Sequence, residues 1–141
     1  MARVRIKTVN HVGIPTSDRI RSLKMYRDLM NLNIIPHQVD GNTLLWSETA
    51  DGTMVHLIEP PQPGRPDGRT HVAYEVEDFD EALEAIKEAG VQITGGPGVR
   101  HNGQRFVFIA DPDGNRIELA TTGDSSNSKR RVDDNGYTYE E

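Results

Sequence analysis

The hydrophobic residues of this chain follow strand-type and helix-type patterns in an order that occurs twice. Segments with apolar residues at every second position surround two segments in which apolar residues recur at helical spacing. Gly90 closes the second helical segment, whose apolar positions are Phe79, Ala82, Leu83 and Ile86. Each helix is followed by three strand candidates, and the last two form a hairpin. These candidates span residues 32–38, 43–48, 53–59, 91–94, 105–110 and 115–121.

The two halves of the chain align at two separate places. Residues 11–18, HVGIPTSD, match residues 71–78, HVAYEVED, without a gap, and both end in an aspartate at a helix N-cap position. The turn and strand at 51–57, DGTMVHL, match 113–119, DGNRIEL. The sequence therefore predicts a duplicated unit in which a strand, a helix and three further strands follow one another, written βαβββ.

Strand parity places four polar residues of this repeat on one side of the sheets. Successive side chains of a strand point to opposite faces, so His11, His71, His56 and Glu118 face away from their apolar neighbours. Glu59 has the opposite parity, falls on the helix side and is excluded as a ligand. Hydrogen-bonded core histidines are the plain alternative, but burying four polar groups together is costly without a metal or a partner.

Composition narrows the chemistry further. With 141 residues, of which 35% are hydrophobic, the chain suits one compact domain. A net charge of -6 with interspersed acids and bases disfavours nucleic acid and anionic membranes as partners. No apolar run reaches the roughly 20 residues of a membrane span, and no signal peptide is visible, which predicts a cytoplasmic protein. Because cysteine is absent, any metal must be held by imidazole and carboxylate.

These residues resemble the vicinal oxygen chelate superfamily, which includes glyoxalase I, extradiol dioxygenases, methylmalonyl-CoA epimerase and antibiotic resistance proteins, over residues 5–121. The resemblance implies an α+β fold in which two βαβββ modules form an eight-stranded cup with helices on its outer face. The expected modules are 1–60 and 70–121, joined by a linker at 61–69 and followed by a flexible polar tail at 122–141. Such a linker permits a cup within one chain or modules exchanged between chains, and a homodimer is expected.

The resemblance also implies a divalent metal bound by His11, His71 and Glu118. In a glyoxalase-like lyase or isomerase, His56 is a fourth ligand, and the metal acts as a Lewis acid. In an extradiol-type dioxygenase the three ligands leave room on Fe(II) for a catechol and dioxygen, and His56 is an acid/base group. Fe(II) is the preferred expectation, with Ni, Mn, Co and Zn as alternatives.

The segment from Val99-Arg-His101 to Glu118 is similar to the extradiol dioxygenase signature, with Phe108 where that family has tyrosine. It favours a ring-cleaving dioxygenase acting on a small catechol-like substrate, although Phe108 lacks the phenol that could hydrogen-bond an oxygen. His101 is then a second catalytic residue beside His56. An antibiotic-sequestering protein ranks last, because it has little use for a complete ligand set. The expected substrate contacts are Phe108, Arg105 and Trp46.

Overall fold

The computed structural model describes residues 5, 9–39, 43–59, 71–124, 126, 129–133 and 137–141. The predicted linker at 61–69 lies outside the described residues, as does most of the segment before residue 9. In the part of the chain that is described, no helix is both long and apolar enough to cross a bilayer.

Both halves of the chain contain the predicted sequence of one strand, one helical segment and three strands. The first module consists of β1 His11–Pro15, α1 Arg19–Leu23 continued by a π-helical segment Lys24–Leu29, β2 Asn33–Ile35, β3 Leu44–Glu48 and β4 Met54–Ile58. The second consists of β5 His71–Glu75, α2 Phe79–Glu88, β6 Ile93–Val99, β7 Arg105–Ala110 and β8 Arg116–Ala120. The α+β fold of two βαβββ modules is thereby confirmed.

The eight module strands form two four-stranded sheets with the same strand order, β1-β4-β3-β2 and β5-β8-β7-β6. In each sheet the first strand pairs in parallel with the last, and the other pairs are antiparallel. The register aligns Gly13 with His56 and Ala73 with Glu118. In this strand order, β1 and β5 each lie at an edge of their sheet. β1 begins with His11, and β5 begins with His71.

The two helices begin as the sequence predicts. The carboxylates of Asp18 and Asp78 accept hydrogen bonds from the backbone N–H groups of Arg21 (3.1 Å) and Glu81 (3.0 Å) respectively. These bonds satisfy N–H groups that have no partner within the helix. Gly90 follows α2 with a φ of 70°, a left-handed conformation that glycine adopts without strain.

The hydrophobic core takes alternate residues from the central strands of both sheets. Val55 and Leu57 of β4 and Ile109 and Ile117 of β7 and β8 are each at most 1% exposed. Core residues of both modules belong to one contiguous cluster. Because these positions alternate with His56 and Glu118 along their strands, the core fixes which face of each sheet the polar residues occupy.

A buried hydrogen-bond network joins the first module to the turn before β8. The Tyr26 hydroxyl donates to Asp111 Oδ2 (2.7 Å), and Asn115 Nδ2 donates to the Pro15 carbonyl oxygen (3.0 Å). Burial, together with the negative charge of Asp111, raises the pKa of Tyr26, so the hydroxyl stays protonated and donates. The network fixes the second module against the helical segment of the first.

We expect Tyr26→Phe to lower the free energy of unfolding by about 1–3 kcal/mol, because a hydrogen bond to a buried carboxylate is lost while the ring packing stays. Asn115 Nδ2 still donates to Asp111 Oδ2 at 2.8 Å, which limits the loss. Urea unfolding measures the change. Tyr139→Phe, at a residue that is 51% exposed, is the matched control and should leave stability unchanged; equal stability of the two variants would contradict the role given to this network.

The predicted flexible tail contains regular structure. β9, Arg130–Val132, pairs antiparallel with β10, Thr138–Glu140. Before this ladder, the backbone N–H of Asp124 donates to the carbonyl oxygen of Asn102 in the second module (2.9 Å). The lack of apolar periodicity predicts a flexible tail. β9 and β10 nevertheless pair, because backbone hydrogen bonds between two strands do not require a buried apolar face.

Candidate functional site

The candidate site consists of polar and aromatic side chains on the sheet faces opposite the core. His56 lies between Val55 and Leu57 of β4, and Glu118 lies between Ile117 and Leu119 of β8. Both polar residues are only 6% exposed. Buried ionisable groups are costly unless a partner satisfies them, so the contacts of these two side chains indicate what the site can bind.

In the first module, three rings form a stack across β1, β4 and β3. The His56 ring lies 4.3 Å from the His11 ring and 4.5 Å from the Trp46 ring, with interplanar angles of 19° and 6°. The stack restricts the orientation of the His56 imidazole. Its Nε2 atom is buried and has no hydrogen-bond partner among the described residues.

A hydrogen bond sets the tautomer of His11. Its Nδ1 lies 2.7 Å from the side-chain oxygen of Asn10, which can only accept, so Nδ1 carries the proton. When His11 is uncharged, this tautomer has its lone pair on Nε2. Histidines that bind metals are commonly held in this way, with one nitrogen donating to a neighbour and the other free to ligate.

The environment of His56 favours its neutral form. Burial lowers the pKa of His56, and the neighbouring His11 lowers it further by charge repulsion. A neutral imidazole with an unprotonated nitrogen can ligate a metal or accept a proton. The geometry of His56 therefore suits both of the roles predicted for it.

In the second module, two predicted ligands lie in direct contact. His71 Nε2 is 3.0 Å from Glu118 Oε2, and the other carboxylate oxygen is 2.9 Å from Arg100 Nη1. Adjacent ligands of an octahedral ion with bonds of about 2.1 Å lie about 3.0 Å apart. The pair is a hydrogen bond here, because a carboxylate can only accept and His71 Nε2 therefore donates, and its length also equals the separation of two neighbouring ligands around a divalent metal.

Two arginines cover two phenylalanines beside this pair. Arg100 Cζ lies 4.0 Å from the centre of the Phe106 ring, and Arg116 Cζ lies 3.9 Å from that of Phe108. A glycine at position 98 makes room for Phe106, since a Cβ there would lie 2.7 Å from its Cζ atom. We call this surface, formed by Arg100, Phe106, Phe108 and Arg116, the arginine–phenylalanine face.

The predicted ligands lie in two groups, one on each sheet. His11 and His56 are in contact on the first sheet, and His71 and Glu118 on the second. Among the described residues of one chain, no three histidine or acidic side chains are close enough together to hold a metal ion. The ligand set of His11, His71 and Glu118 thus stays a prediction, of which His71 and Glu118 are in contact with each other.

Two other predicted residues have different surroundings. His101 is exposed in the turn between β6 and β7, next to Arg100. Arg105, an expected substrate contact, instead faces α2, where its guanidinium lies 2.9 Å from Asp80 and 4.4 Å from the centre of the Phe79 ring. The reason is parity, because Arg105 alternates with Phe106 and so points to the helix side of β7.

Sequence reasoning missed the arginines that do lie at the ligand pair. Arg116 shares the parity of Glu118 two residues later, and this signal was available in the sequence. Arg100 follows the end of β6, where no strand pattern predicts its direction. Glu59 lies on the helix side as predicted, and its Oε1 accepts a hydrogen bond from the backbone N–H of Arg19 (2.8 Å).

Comparison with known protein families matches residues 8–119 to the Glyoxalase/Bleomycin resistance protein/Dioxygenase superfamily. The chain belongs to this superfamily. The match spans both modules and all four predicted metal-site residues. It agrees with the strand order of the two sheets, which is that of the vicinal oxygen chelate fold.

Several similar proteins are named as enzymes of the superfamily. The metallothiol transferase FosB of Staphylococcus epidermidis is 28% identical over 123 residues, covering 84% of each chain. A probable lactoylglutathione lyase of Synechocystis is 28% identical over 122 residues, covering 79% of this chain and 93% of the relative. A glyoxalase/dioxygenase structure from Nostoc punctiforme superposes with a TM-score of 0.72 at 24% identity, over 88% of this chain and 99% of the other, and shows the shared fold.

Proposed function

We propose that the protein is a divalent-metal enzyme that binds a small substrate through neighbouring oxygen atoms and catalyses a proton transfer or a thiol transfer without consuming dioxygen. The observation that carries the proposal is the contact of 3.0 Å between His71 Nε2 and the buried carboxylate of Glu118. Relatives that resemble the chain over most of its length are named as a metallothiol transferase and a lactoylglutathione lyase, which supports a reaction of this kind.

His71, Glu118 and His11 would hold the metal. A metal bound there would supply Lewis acidity that polarises a substrate oxygen, which acidifies the C–H group beside it or makes the attached carbon more reactive toward a thiol. Glu118 contributes a negative charge, and Arg100 and His71 fix the position of its two oxygens. His11 contributes the Nε2 lone pair that its bond to Asn10 leaves available.

His56 would move the proton. Its ring is held between Trp46 and His11, its Nε2 has no partner among the described residues, and burial favours its neutral form by lowering its pKa. A positioned neutral imidazole is the commonest general base in enzymes. In this assignment His56 acts on the substrate, and a role as fourth metal ligand is the alternative.

The complete site would form between two copies of the chain. β1 and β5 carry His11 and His71, and each lies at the edge of a different sheet. If β1 of one copy lies beside β5 of the other, His11 reaches the His71–Glu118 pair of its partner, and two equivalent sites result. This arrangement supports a homodimer with exchanged modules.

A ring-cleaving extradiol-type dioxygenase with Fe(II) is the second candidate function. It is favoured by the turn that carries His101, because the preceding residue, Arg100, contacts Glu118 directly. The segment that resembles the dioxygenase signature therefore borders the ligand pair. We rank the dioxygenase second because Phe108 has no hydroxyl that could hydrogen-bond a substrate oxygen.

The test is a comparison of reactions on protein purified without oxygen and loaded separately with Fe²⁺, Mn²⁺, Ni²⁺, Co²⁺ or Zn²⁺. We expect turnover of a hemithioacetal, or transfer of a thiol to an electrophile, with at least one metal and without oxygen uptake. Oxygen uptake with catechols on the Fe²⁺ protein alone would favour the dioxygenase. Failure to bind any of these metals would overturn both candidates. Glu118→Ala serves as the inactive control.

A further inference from the structure

Each oxygen of the Glu118 carboxylate contacts a different partner. Oε2 lies 3.0 Å from His71 Nε2, and Oε1 lies 2.9 Å from Arg100 Nη1 in an ion pair. Glu118 is buried, so salt and water screen this ion pair less than one on the surface. A cation that approaches Glu118 through Oε1 must therefore displace Arg100, whereas a cation at Oε2 lies on the side of His71.

Arg100 is held at both ends of its residue. Its backbone N–H donates to the Gln104 carbonyl oxygen (2.8 Å), and its own carbonyl oxygen accepts from the Gly103 N–H (2.9 Å). Its guanidinium lies on the arginine–phenylalanine face, with Cζ 4.0 Å from the centre of the Phe106 ring. This cation–π contact selects, among the many rotamers of an arginine, those that lie over the ring. The guanidinium is thereby kept beside Oε1 of Glu118.

The position of the Phe106 ring depends in turn on β6. Gly98 pairs with Phe106 in the ladder between β6 and β7, and a Cβ at residue 98 would lie 2.7 Å from Cζ of the ring. The backbone of Gly98 does not have the left-handed φ that requires glycine, so the position uses the small size of this residue. The sequence of β6 thus makes room for the ring that supports Arg100.

We propose that Arg100 is a positioning residue that keeps Oε1 of Glu118 from a bound metal, and that Phe106 holds Arg100 in this role. The inference rests on the proposed function, in which Glu118 is a metal ligand. Glu118 would then bind the metal through one oxygen, which leaves open a coordination position that a second carboxylate oxygen would take. The arrangement lowers the affinity for metal and retains a position for the oxygens of the substrate.

Titration of the full chain with Co²⁺ and Mn²⁺ tests this role. We expect Arg100→Gln to bind Co²⁺ about 10-fold more tightly than the wild type, because the competing cation is removed and Oε1 becomes available to the metal. In the Mn²⁺-loaded variant, the enhancement of water-proton relaxation should fall, since Oε1 takes the place of a bound water. A residue that only supports the fold would weaken metal binding when it is substituted.

Phe106→Leu separates position from charge, because it removes the ring and keeps Arg100. It should shift both measurements in the same direction, with a gain in Co²⁺ affinity of about 3-fold. Arg100→Lys keeps a cation that can pair with Glu118 and should give an affinity between those of the wild type and Arg100→Gln. Arg105→Gln is the matched control, since Arg105 pairs with Asp80 and faces α2, and it should change neither measurement.

The outcomes distinguish a failure of this inference from a failure of the proposed function. Unchanged or weaker Co²⁺ binding in Arg100→Gln, or an unchanged relaxation enhancement, would overturn the inference while the metal site stands. An equal gain in Arg105→Gln would overturn it too, because net charge alone would then explain the effect. Phe106→Leu decides between these results if Arg100→Gln does not fold. Uptake of neither ion by the wild type and all variants would contradict the proposed function, and the inference with it.

Discussion

Glu118→Ala is expected to remove most of the bound metal. Glu118 is the only carboxylate in the predicted ligand set, and it supplies both the negative charge and one coordinating oxygen in contact with His71. Even the loss of groups around a metal's direct ligands typically costs 10- to 100-fold in affinity, and we expect a loss of about 100-fold or more here. Elemental analysis after dialysis, and titration with Co²⁺, measure the change.

Glu59→Ala is the matched control for this experiment. Glu59 also lies in the β4 region of the repeat, but its side chain contacts Arg19 on the helix side. It should keep the metal content of the wild type. Unchanged metal content in Glu118→Ala would show that Glu118 is not a ligand, whatever the control gives.

The same variant reports whether the site is shared between chains. His11→Ala and Glu118→Ala proteins are each expected to bind little metal. After they are unfolded together and refolded, half of the dimers are mixed, and one of the two sites in each has all its ligands, so metal binding should return to about a quarter of the wild-type level. A site formed within one chain gives no recovery, and that result would contradict the exchange of modules.

His56→Ala is expected to keep the metal and to lose about 10²- to 10⁴-fold in turnover, as enzymes do when a proton-transfer group is removed. The expectation follows from the buried Nε2 of His56, which has no partner among the described residues, and from the three predicted ligands that the substitution leaves unchanged. Metal content and rate must be measured on the same preparation, so that a loss of rate is not mistaken for a loss of metal.

His56→Gln and His37→Ala complete this series. Glutamine can replace an imidazole as a ligand. Loss of metal in His56→Ala but not in His56→Gln would therefore identify His56 as the fourth ligand and contradict its role as the base. His37 is exposed in the segment after β2, where its Nδ1 contacts the Val39 carbonyl oxygen. His37→Ala should change neither metal content nor rate.

The face on which each site residue lies could be predicted from the sequence, whereas its partners could not. Alternation with Val55 and Ile117 correctly placed His56 and Glu118 opposite the core. Parity gives a direction but not the reach of a long side chain, so the contact between Arg100 and Glu118 was not foreseen. Arg105 shows the cost of neglecting parity, because its position next to Phe106 already indicated the helix side.

The weakest part of the fold prediction was β6. The strand was expected at 91–94, but it spans Ile93–Val99 and contains the sequence ITGGPGV. Glycine and proline interrupt apolar alternation, so the pattern ends before the strand does. β6 lies at a sheet edge and pairs with β7 through two register shifts, and its Gly95 and Gly98 lie against the Phe108 and Phe106 rings, which the sequence of β6 alone does not show.

The edge positions of β1 and β5 also bear on polymerisation. β1 and β5 are two of the four edge strands of the module sheets, and joining β1 of one copy to β5 of the next is a head-to-tail contact. No further copy is added only if β1 of the second copy pairs with β5 of the first, which gives a closed dimer. If the angle between the modules prevents closure, the same pairing adds copies without limit, as unprotected sheet edges do in fibres. The relative orientation of the two modules, which the hydrogen bond between Tyr26 and Asp111 helps to fix, would then determine whether the assembly is a closed dimer or an open-ended fibre.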